Sequence, residues 1–234
     1  MIAEESFLDF KCPYCRDAVS FPQENAGAVQ SCPSCSESLI VPEDGSNVGK
    51  LIPLPINTER LVIRRFGPGD WKDLMELMSD EELFRYIEGR PLEEEEILRW
   101  LESDSHLKLT TPNQRFCLGI ESKDGGKLVG YLGLALTDPL QQQALISVYL
   151  NGKYQKQGYA LEAVRALLGF CFEGINLHRV SASCDSRHTA ACRLFEKAGL
   201  RREGEFLKDN FLHGEWANTV WYGLLSEEVA GEKS

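Results

Sequence analysis

Two groups of residues in this chain have the types and spacing to do chemistry. The first is a pair of cysteine knuckles, Cys12-Pro-Tyr-Cys15 and Cys32-Pro-Ser-Cys35, with sixteen residues between them. Two C-x2-C pairs at that separation can close a tetrahedral thiolate site around zinc, with disulfides or redox thiols as the alternatives. In a reducing compartment the spacing favours zinc, and four cysteines leave it no open coordination position, so its role would be structural. The second group is Gln155-Lys-Gln-Gly-Tyr-Ala160, set between an apolar run and an amphipathic stretch. A strand that enters a helix through such a loop offers free backbone N–H groups and the positive end of the helix dipole. That is a seat for a phosphate or diphosphate. Gly158 and Ala160 leave room for a ligand to approach the backbone. Neither G-x-x-x-x-G-K-[ST] nor G-x-G-x-x-G occurs at this loop, so it is not one of the common nucleotide motifs.

The elements that must position these residues follow from hydrophobic periodicity. Leu145-Ile-Ser-Val-Tyr-Leu150 predicts a buried strand, and Gly158 to Glu173 predicts a helix with Ala160, Val164, Leu167, Leu168, Cys171 and Phe172 on one face. Upstream, Glu59 to Phe66 predicts a first strand. Pro68-Gly-Asp70 caps a helix over Trp71 to Met78, and a second helix follows Pro91, with Leu92, Ile97, Leu98 and Leu101 as its stripe. The acid run Glu93 to Glu96 suits the first turns of that helix as a solvated face. Arg115 to Glu121 and Lys127 to Leu136 predict strands joined by an Asp124-Gly-Gly126 turn. His178 to Cys184 predicts a strand, and Thr189 to Ala198 a helix stopped by Gly199. Two final strands, 200–206 and 218–225, pair through a hairpin that contains Asp209 and His213, both read as turn residues. His106 and His178 have no partner by spacing, and Cys117, Cys171 and Cys192 read as small core residues. The order β-α-α-β-β-β-α-β-α-β-β predicts one α/β domain with a mixed sheet.

Composition sets the limits. Of 234 residues, 43% are hydrophobic and 26% charged, which suits a water-soluble globular chain. No apolar run approaches the ~20 residues of a membrane span, and the N-terminus lacks a signal-peptide pattern, so a cytoplasmic location is expected. A net charge of −11 argues against nucleic acid and anionic membrane as partners, and favours cationic ones. Residues 1–50 hold eight acids against three bases, so a structural or protein-docking role fits them better than nucleic-acid binding. So short a segment needs metal to fold it, with Phe7, Phe10, Val19, Phe21, Leu39, Ile40 and Val41 as its apolar layer. The expected division is a zinc ribbon over 1–45, a linker over 46–57, an α/β domain over 58–226 and a tail over 227–234.

Four motifs, taken in order, carry a resemblance. Thr58-Glu-Arg-Leu-Val-Ile-Arg-Arg65, Gln155-x-x-Gly-Tyr-Ala-Leu-Glu-Ala163, Leu177-His-Arg-Val180 and Phe195-Glu-Lys-Ala-Gly-Leu200 resemble the GNAT family of N-acetyltransferases. Within it they resemble the branch with the ribosomal-protein-alanine and spermidine enzymes. The resemblance implies a GNAT fold, a mixed and mostly antiparallel sheet flanked by helices. It also implies acetyl-CoA as co-substrate and a primary amine as acceptor, either a protein N-terminus or a small cationic amine such as a polyamine or aminoglycoside. A non-catalytic acyl-CoA-binding protein is the alternative, and a homodimer is compatible with either. Pantetheine would lie against Val148, Tyr149 and Leu150 in a V between the fourth and fifth strands. The diphosphate would meet the segment Gln155, Lys156, Gln157, Gly158, Tyr159, Ala160 and Leu161. His188 stands where the family has a pantetheine-touching asparagine. Phe195 stands where many relatives have a tyrosine that protonates the leaving thiolate, and phenylalanine cannot do that. Leu145 replaces a fourth-strand glutamate of some relatives. The remaining positions implied for proton transfer are Glu203 and Cys184.

Overall fold

The computed structural model describes residues 6–13, 15–42, 54–107, 109, 114–138 and 142–231. Most of the expected linker (46–53) and the end of the expected tail (232–234) lie outside the described residues.

The N-terminal segment forms two antiparallel hairpins, β1 (Phe7–Lys11) with β2 (Ala18–Pro22) and β3 (Val29–Ser31) with β4 (Ser38–Ile40). Strand alternation decides which side chains turn inward. Leu8 and Phe10 are buried, whereas Phe7, expected in the layer, is exposed because it has the opposite parity to Leu8. Leu8, Phe10, Val19, Phe21, Leu39 and Val41 surround Cys12 and Cys32. Ile40, expected in the same layer, instead joins Val29 in the main core of the larger domain.

That domain is built on an eight-stranded sheet. Its strands are β5 (Ile56–Asn57), β6 (Leu61–Arg64), β7 (Phe116–Ser122), β8 (Leu128–Asp138), β9 (Gln143–Leu150), β10 (Arg179–Asp185), β11 (Arg201–Leu212) and β12 (Glu215–Leu225). Their order is β11-β12-β10-β9-β8-β7-β6-β5, antiparallel throughout except for the parallel β9–β10 pair. The strand β5 falls where a linker was expected, with Ile56 opposite Ile63. The last two strands run longer than expected and meet at a two-residue turn, His213-Gly214, with both residues at positive φ. That turn matches the twist of the strands.

The helices are α1 (Trp71–Met78), α2 (Glu94–Ser105), α3 (Tyr159–Gly169), α4 (Thr189–Ala198) and α5 (Ser226–Gly231), the last in the expected tail. The helix predicted over 158–173 ends as a π-helical turn, Phe170–Gly174. The helices α3 and α4 pack on one side of the sheet against Leu61, Ile63, Leu118, Leu132, Ile146 and Val180. On the other side, α1 and α2 bury Leu74, Leu77 and Ile97 against Cys117, Leu128 and Tyr131. Each fully buried side chain of this size stabilises by about 1.5–3 kcal/mol, against about 0–1 kcal/mol for a surface ion pair. Apolar packing therefore holds the helices on.

The two parallel strands do not stay together. Register pairs run from Arg179↔Gln143 to Ala182↔Ile146 and stop. Beyond that point β9 stays on β8 as far as Leu150↔Gly130, and β10 stays on β12 as far as Asp185↔Thr219. The sheet is thus open between Ser147–Leu150 and Ser183–Asp185. The β8–β9 contact at this level is close, because a Cβ on Gly130 would overlap the Tyr149 carbonyl oxygen. Gly130→Ala is expected to lower stability by about 1–3 kcal/mol, measured by urea unfolding; an unchanged midpoint would refute the close approach.

Candidate active site and metal centre

The loop at the mouth of the opening is folded by its own side chains. Asn151 Oδ1 accepts from Lys153 N–H (3.0 Å) and starts a 3-10 turn over Gly152–Tyr154. Gln155 Nε2 donates to the Leu150 carbonyl (3.2 Å), and Gln157 Nε2 to the Lys153 carbonyl (2.9 Å). Both glutamine side chains are therefore occupied in shaping the loop. Lys156 and Gly158 take positive φ, 59° and 85°, immediately before α3. The N–H groups from Lys156 to Leu161 find no acceptor among the described residues. They are the unsatisfied donors of a helix start, extended backward by two left-handed residues.

Two residues of this site were missed in the sequence. Arg60, just before β6, donates from Nη1 to the Gln157 carbonyl (2.9 Å), and its guanidinium lies 4.6 Å from the Tyr159 ring centroid. Glu162, in the first turn of α3, accepts from Thr58 Oγ1 (2.6 Å), Arg60 N–H (2.8 Å) and Arg60 Nε (2.7 Å). Burial pushes the Glu162 carboxyl upward, but these donors and the Arg60 charge outweigh it and hold it below the ordinary range. Both residues were quoted within motifs; only the fold shows that positions about a hundred apart form one cluster. Glu76 of α1 plays a similar bracing role, gathering Lys127, Lys153 and Asn151, which bring its carboxyl down to about 2.

At the open ends of the strands, Val148 is half-buried and Leu150 buried, both on the α3–α4 side, while Tyr149 points to the other side and stacks on Tyr131 (4.6 Å). Ser147 Oγ, at the first unpaired position of β9, is buried with no hydrogen-bond partner among the described residues. Cys184 Sγ lies 3.6 Å from Cys192 Sγ, and burial together with that neighbour keeps its thiol protonated, well above the ordinary range. His188 precedes α4, stacked on Tyr86 (4.5 Å) of a 3-10 helix, Glu81–Tyr86, that the sequence reading did not predict. Burial lowers the His188 pKa despite the opposing pull of Asp185, so the ring is neutral at neutral pH. Phe195 is 3% exposed and packs against Tyr222 inside the core. The mouth is tied together by His213 Nε2 at 2.7 Å from the Phe84 carbonyl and by Arg187, which bridges Asp185 and Glu215.

Glu203 is not brought to the opening. It bridges Arg179 and Arg201, and the Arg179 hydrogen bonds hold its carboxyl below the ordinary range. Arg179 begins β10 at the closed end, whereas Cys184 is five residues further on, about 16 Å at strand rise.

The four ribbon cysteines do come together. Their Sγ atoms all lie within 4.8 Å of one another, with Cys12–Cys35 at 3.8 Å and Cys15–Cys32 at 3.9 Å. A tetrahedron of sulfurs about 2.3 Å from a central ion has edges of about 3.8 Å, whereas a disulfide would need about 2.05 Å. The two knuckles repeat one backbone pattern: Arg16 N–H donates to the Cys12 carbonyl and Ser36 N–H to the Cys32 carbonyl, with positive φ at Arg16 and Ser36. Burial opposes ionisation of Cys32, yet N–H groups of Cys35 and Ser34 bring its thiol down to about 7. Gln142 joins the ribbon to the sheet. Its Nε2 donates to the Gly27 carbonyl (2.8 Å), while its own carbonyl accepts from His178 and Arg179 N–H at the closed end of the β9–β10 pair.

Comparison with known proteins agrees with this architecture. Residues 60–201 match the acetyltransferase (GNAT) domain. The chain is 31% identical over 175 residues to the uncharacterized N-acetyltransferase YnaD of Bacillus subtilis (strain 168), across 74% of this chain and 98% of that one. A GNAT-family acetyltransferase from Bacillus anthracis, 31% identical, has a crystal structure with a TM-score of 0.67 over 74% of this chain and 98% of its own. Spermidine N-acetyltransferase from Vibrio cholerae, solved with CoA and spermine, shares the fold at 19% identity, with a TM-score of 0.65 over 74% and 99%. The protein is therefore an N-acetyltransferase in class. It belongs to the GNAT family, and acetyl-CoA is its acetyl donor.

Because the Glu162 pKa is depressed in the fold, its stabilisation is complete above the unfolded carboxylate pKa of about 4.3 and fades as pH falls through the folded value. Glu162→Gln is expected to cost roughly 1 kcal/mol at neutral pH, discounted because Arg60 is 41% exposed. The gap from wild type should close between about pH 5 and pH 3 in urea titrations; a gap independent of pH would contradict this account.

Proposed function

We propose that the protein acetylates the N-terminal amine of a polypeptide, and that its ribbon holds one structural zinc ion. The observation that carries the reading is the end of β9–β10 pairing at Ile146↔Ala182, with β9 continuing past it into a loop whose N–H groups, from Lys156 on, are unpaired among the described residues. Acetyl-CoA fits that arrangement with its diphosphate on Lys156 to Leu161 and its pantetheine arm along Val148 to Leu150. The amine enters from the α1–α2 side, towards which Ser147 and Tyr149 point. The amine nitrogen attacks the thioester carbon, main-chain N–H groups hold the oxyanion, and the C–S bond breaks as the proton on the attacking nitrogen passes to the departing sulfur, giving the amide and the CoA thiol. We assign His188, the neutral imidazole past the open end of β10, to take the ammonium proton before attack. Cys184 keeps its proton and donates a hydrogen bond to the departing sulfur. Glu203, engaged by two arginines at the other end of the strand, serves structure.

Two features favour a polypeptide over a small amine. Phe211 and Trp216 are exposed on the hairpin whose tip borders the mouth. The acids there, Asp185 and Glu215, are both engaged by Arg187, so neither is free for a polyamine. The net charge of −11 favours the second reading, a small cationic amine. With acetyl-CoA as donor, thiol release is expected to show kcat/KM for N-terminal peptides at least about tenfold above that for spermidine; the reverse order would select the small amine. A plain CoA binder would give binding heat and no turnover with either.

The zinc reading rests on the match between sulfur spacing and a tetrahedral site. A structural zinc supplies about 10–16 kcal/mol in small folded units, enough to hold a ribbon whose own core is slight. Protein prepared under reducing conditions is expected to carry one zinc ion per chain by elemental analysis, and Cys32→Ser to carry none. Full zinc content in that variant would remove Cys32 from the site.

A further inference from the structure

We infer that Arg60 is the positioning residue of the diphosphate loop, setting the direction of the Gly158 N–H and masking the Glu162 carboxylate from the bound anion. This rests on the reading of Lys156 to Leu161 as the diphosphate seat.

The first half of the argument is peptide geometry. In a trans peptide unit the C=O and the following N–H point in opposite directions. Arg60 Nη1 holds the Gln157 carbonyl at 2.9 Å, so the Gly158 N–H must point away from Arg60, into the row of free donors that continues along α3. Without that grip the unit could rotate, because it ends on the left-handed Gly158, follows the left-handed Lys156 by one residue, and has no other backbone hydrogen bond among the described residues. Lys156 in that conformation costs about 1 kcal/mol or more, which the surrounding contacts must offset. Gly158 also leaves space for the clamp, since a Cβ there would lie 3.2 Å from Arg60 Nη2.

The second half is electrostatic. A carboxylate in the first turn of α3 would repel a diphosphate bound at the same helix end. Glu162 is instead neutralised by Arg60 Nε and by donors from Thr58 and the Arg60 backbone. Arg60 thus removes a local negative charge in a chain that already carries −11. The Arg60 side chain remains 41% exposed, its remaining amino group, Nη2, has no hydrogen bond among the described residues, and its face covers Tyr159.

The test compares CoA with pantetheine, which lacks the diphosphate, on wild-type protein and on Arg60→Ala and Arg60→Lys. Affinities are read by calorimetry for CoA and by ligand-observed NMR for pantetheine, with thermal unfolding to confirm that each variant is folded. Arg60→Ala is expected to weaken CoA by about tenfold or more and to leave pantetheine unchanged. Arg60→Lys, which restores the charge without the two-pronged clamp, should recover only part of the loss. CoA affinity within twofold of wild type in Arg60→Ala, or a parallel loss of pantetheine, would overturn the inference. Should Arg60→Ala fail to fold, the same comparison on Arg60→Lys decides: unchanged CoA binding overturns it, and a loss confined to CoA supports it. If wild-type protein binds pantetheine as tightly as CoA, the loop is not a diphosphate seat and the parent reading falls as well.

Discussion

Every β-strand must find partners for its backbone polar groups, and two strands here stop doing so for each other. After Ala182, β10 remains bonded to β12 and β9 to β8, so each keeps one satisfied edge and exposes the other. An exposed strand edge is ordinarily a liability. Inside a sheet, however, it becomes a recess that an extended, amide-bearing ligand can enter as if it were a strand. Pantetheine has that chemistry. The remainder of the domain keeps the recess open: α3 and α4 brace it on one side, α1 and α2 on the other, and the hairpin of β11 and β12 is tied across its rim.

The division of labour within the loop follows from the same constraint. Side chains of Gln155, Gln157, Asn151 and Arg60 all bond to the chain itself, which leaves the main chain to address the ligand. A helix start of this kind offers an anion a favourable local field even in a strongly acidic protein and without a cluster of lysines, because that field acts over one turn only. Long-range repulsion from the rest of the surface is screened beyond roughly 8–10 Å at physiological salt.

Much of this was legible in the chain. The spacing of Val164, Leu167 and Leu168 announced α3, Gly199 ended α4 at a positive φ of 101°, and the cysteine knuckles met as expected. What escaped notice depends on contacts between distant segments. Arg60 and Glu162 are ordinary surface-type residues until β6 is laid beside α3. Glu203 resembled a candidate base by position in the sixth strand of the family pattern, but register put it at the closed end with two arginines. Phe7 and Ile40 were misplaced because strand parity and a neighbouring domain, respectively, decide where such side chains point. The short 3-10 helix carrying Tyr86 has too few residues to show a period.

Val29 and Ile40 turn away from the cysteine site and into the same apolar mass as Phe116 and Leu134, while Gln142 reaches across to Gly27. The four-cysteine module is therefore not a detachable appendage. Cutting the chain ahead of residue 54 would strip a greasy lid from the enzyme's flank, and the shortened protein would meet water, or its neighbours in solution, with a surface that the intact molecule never shows.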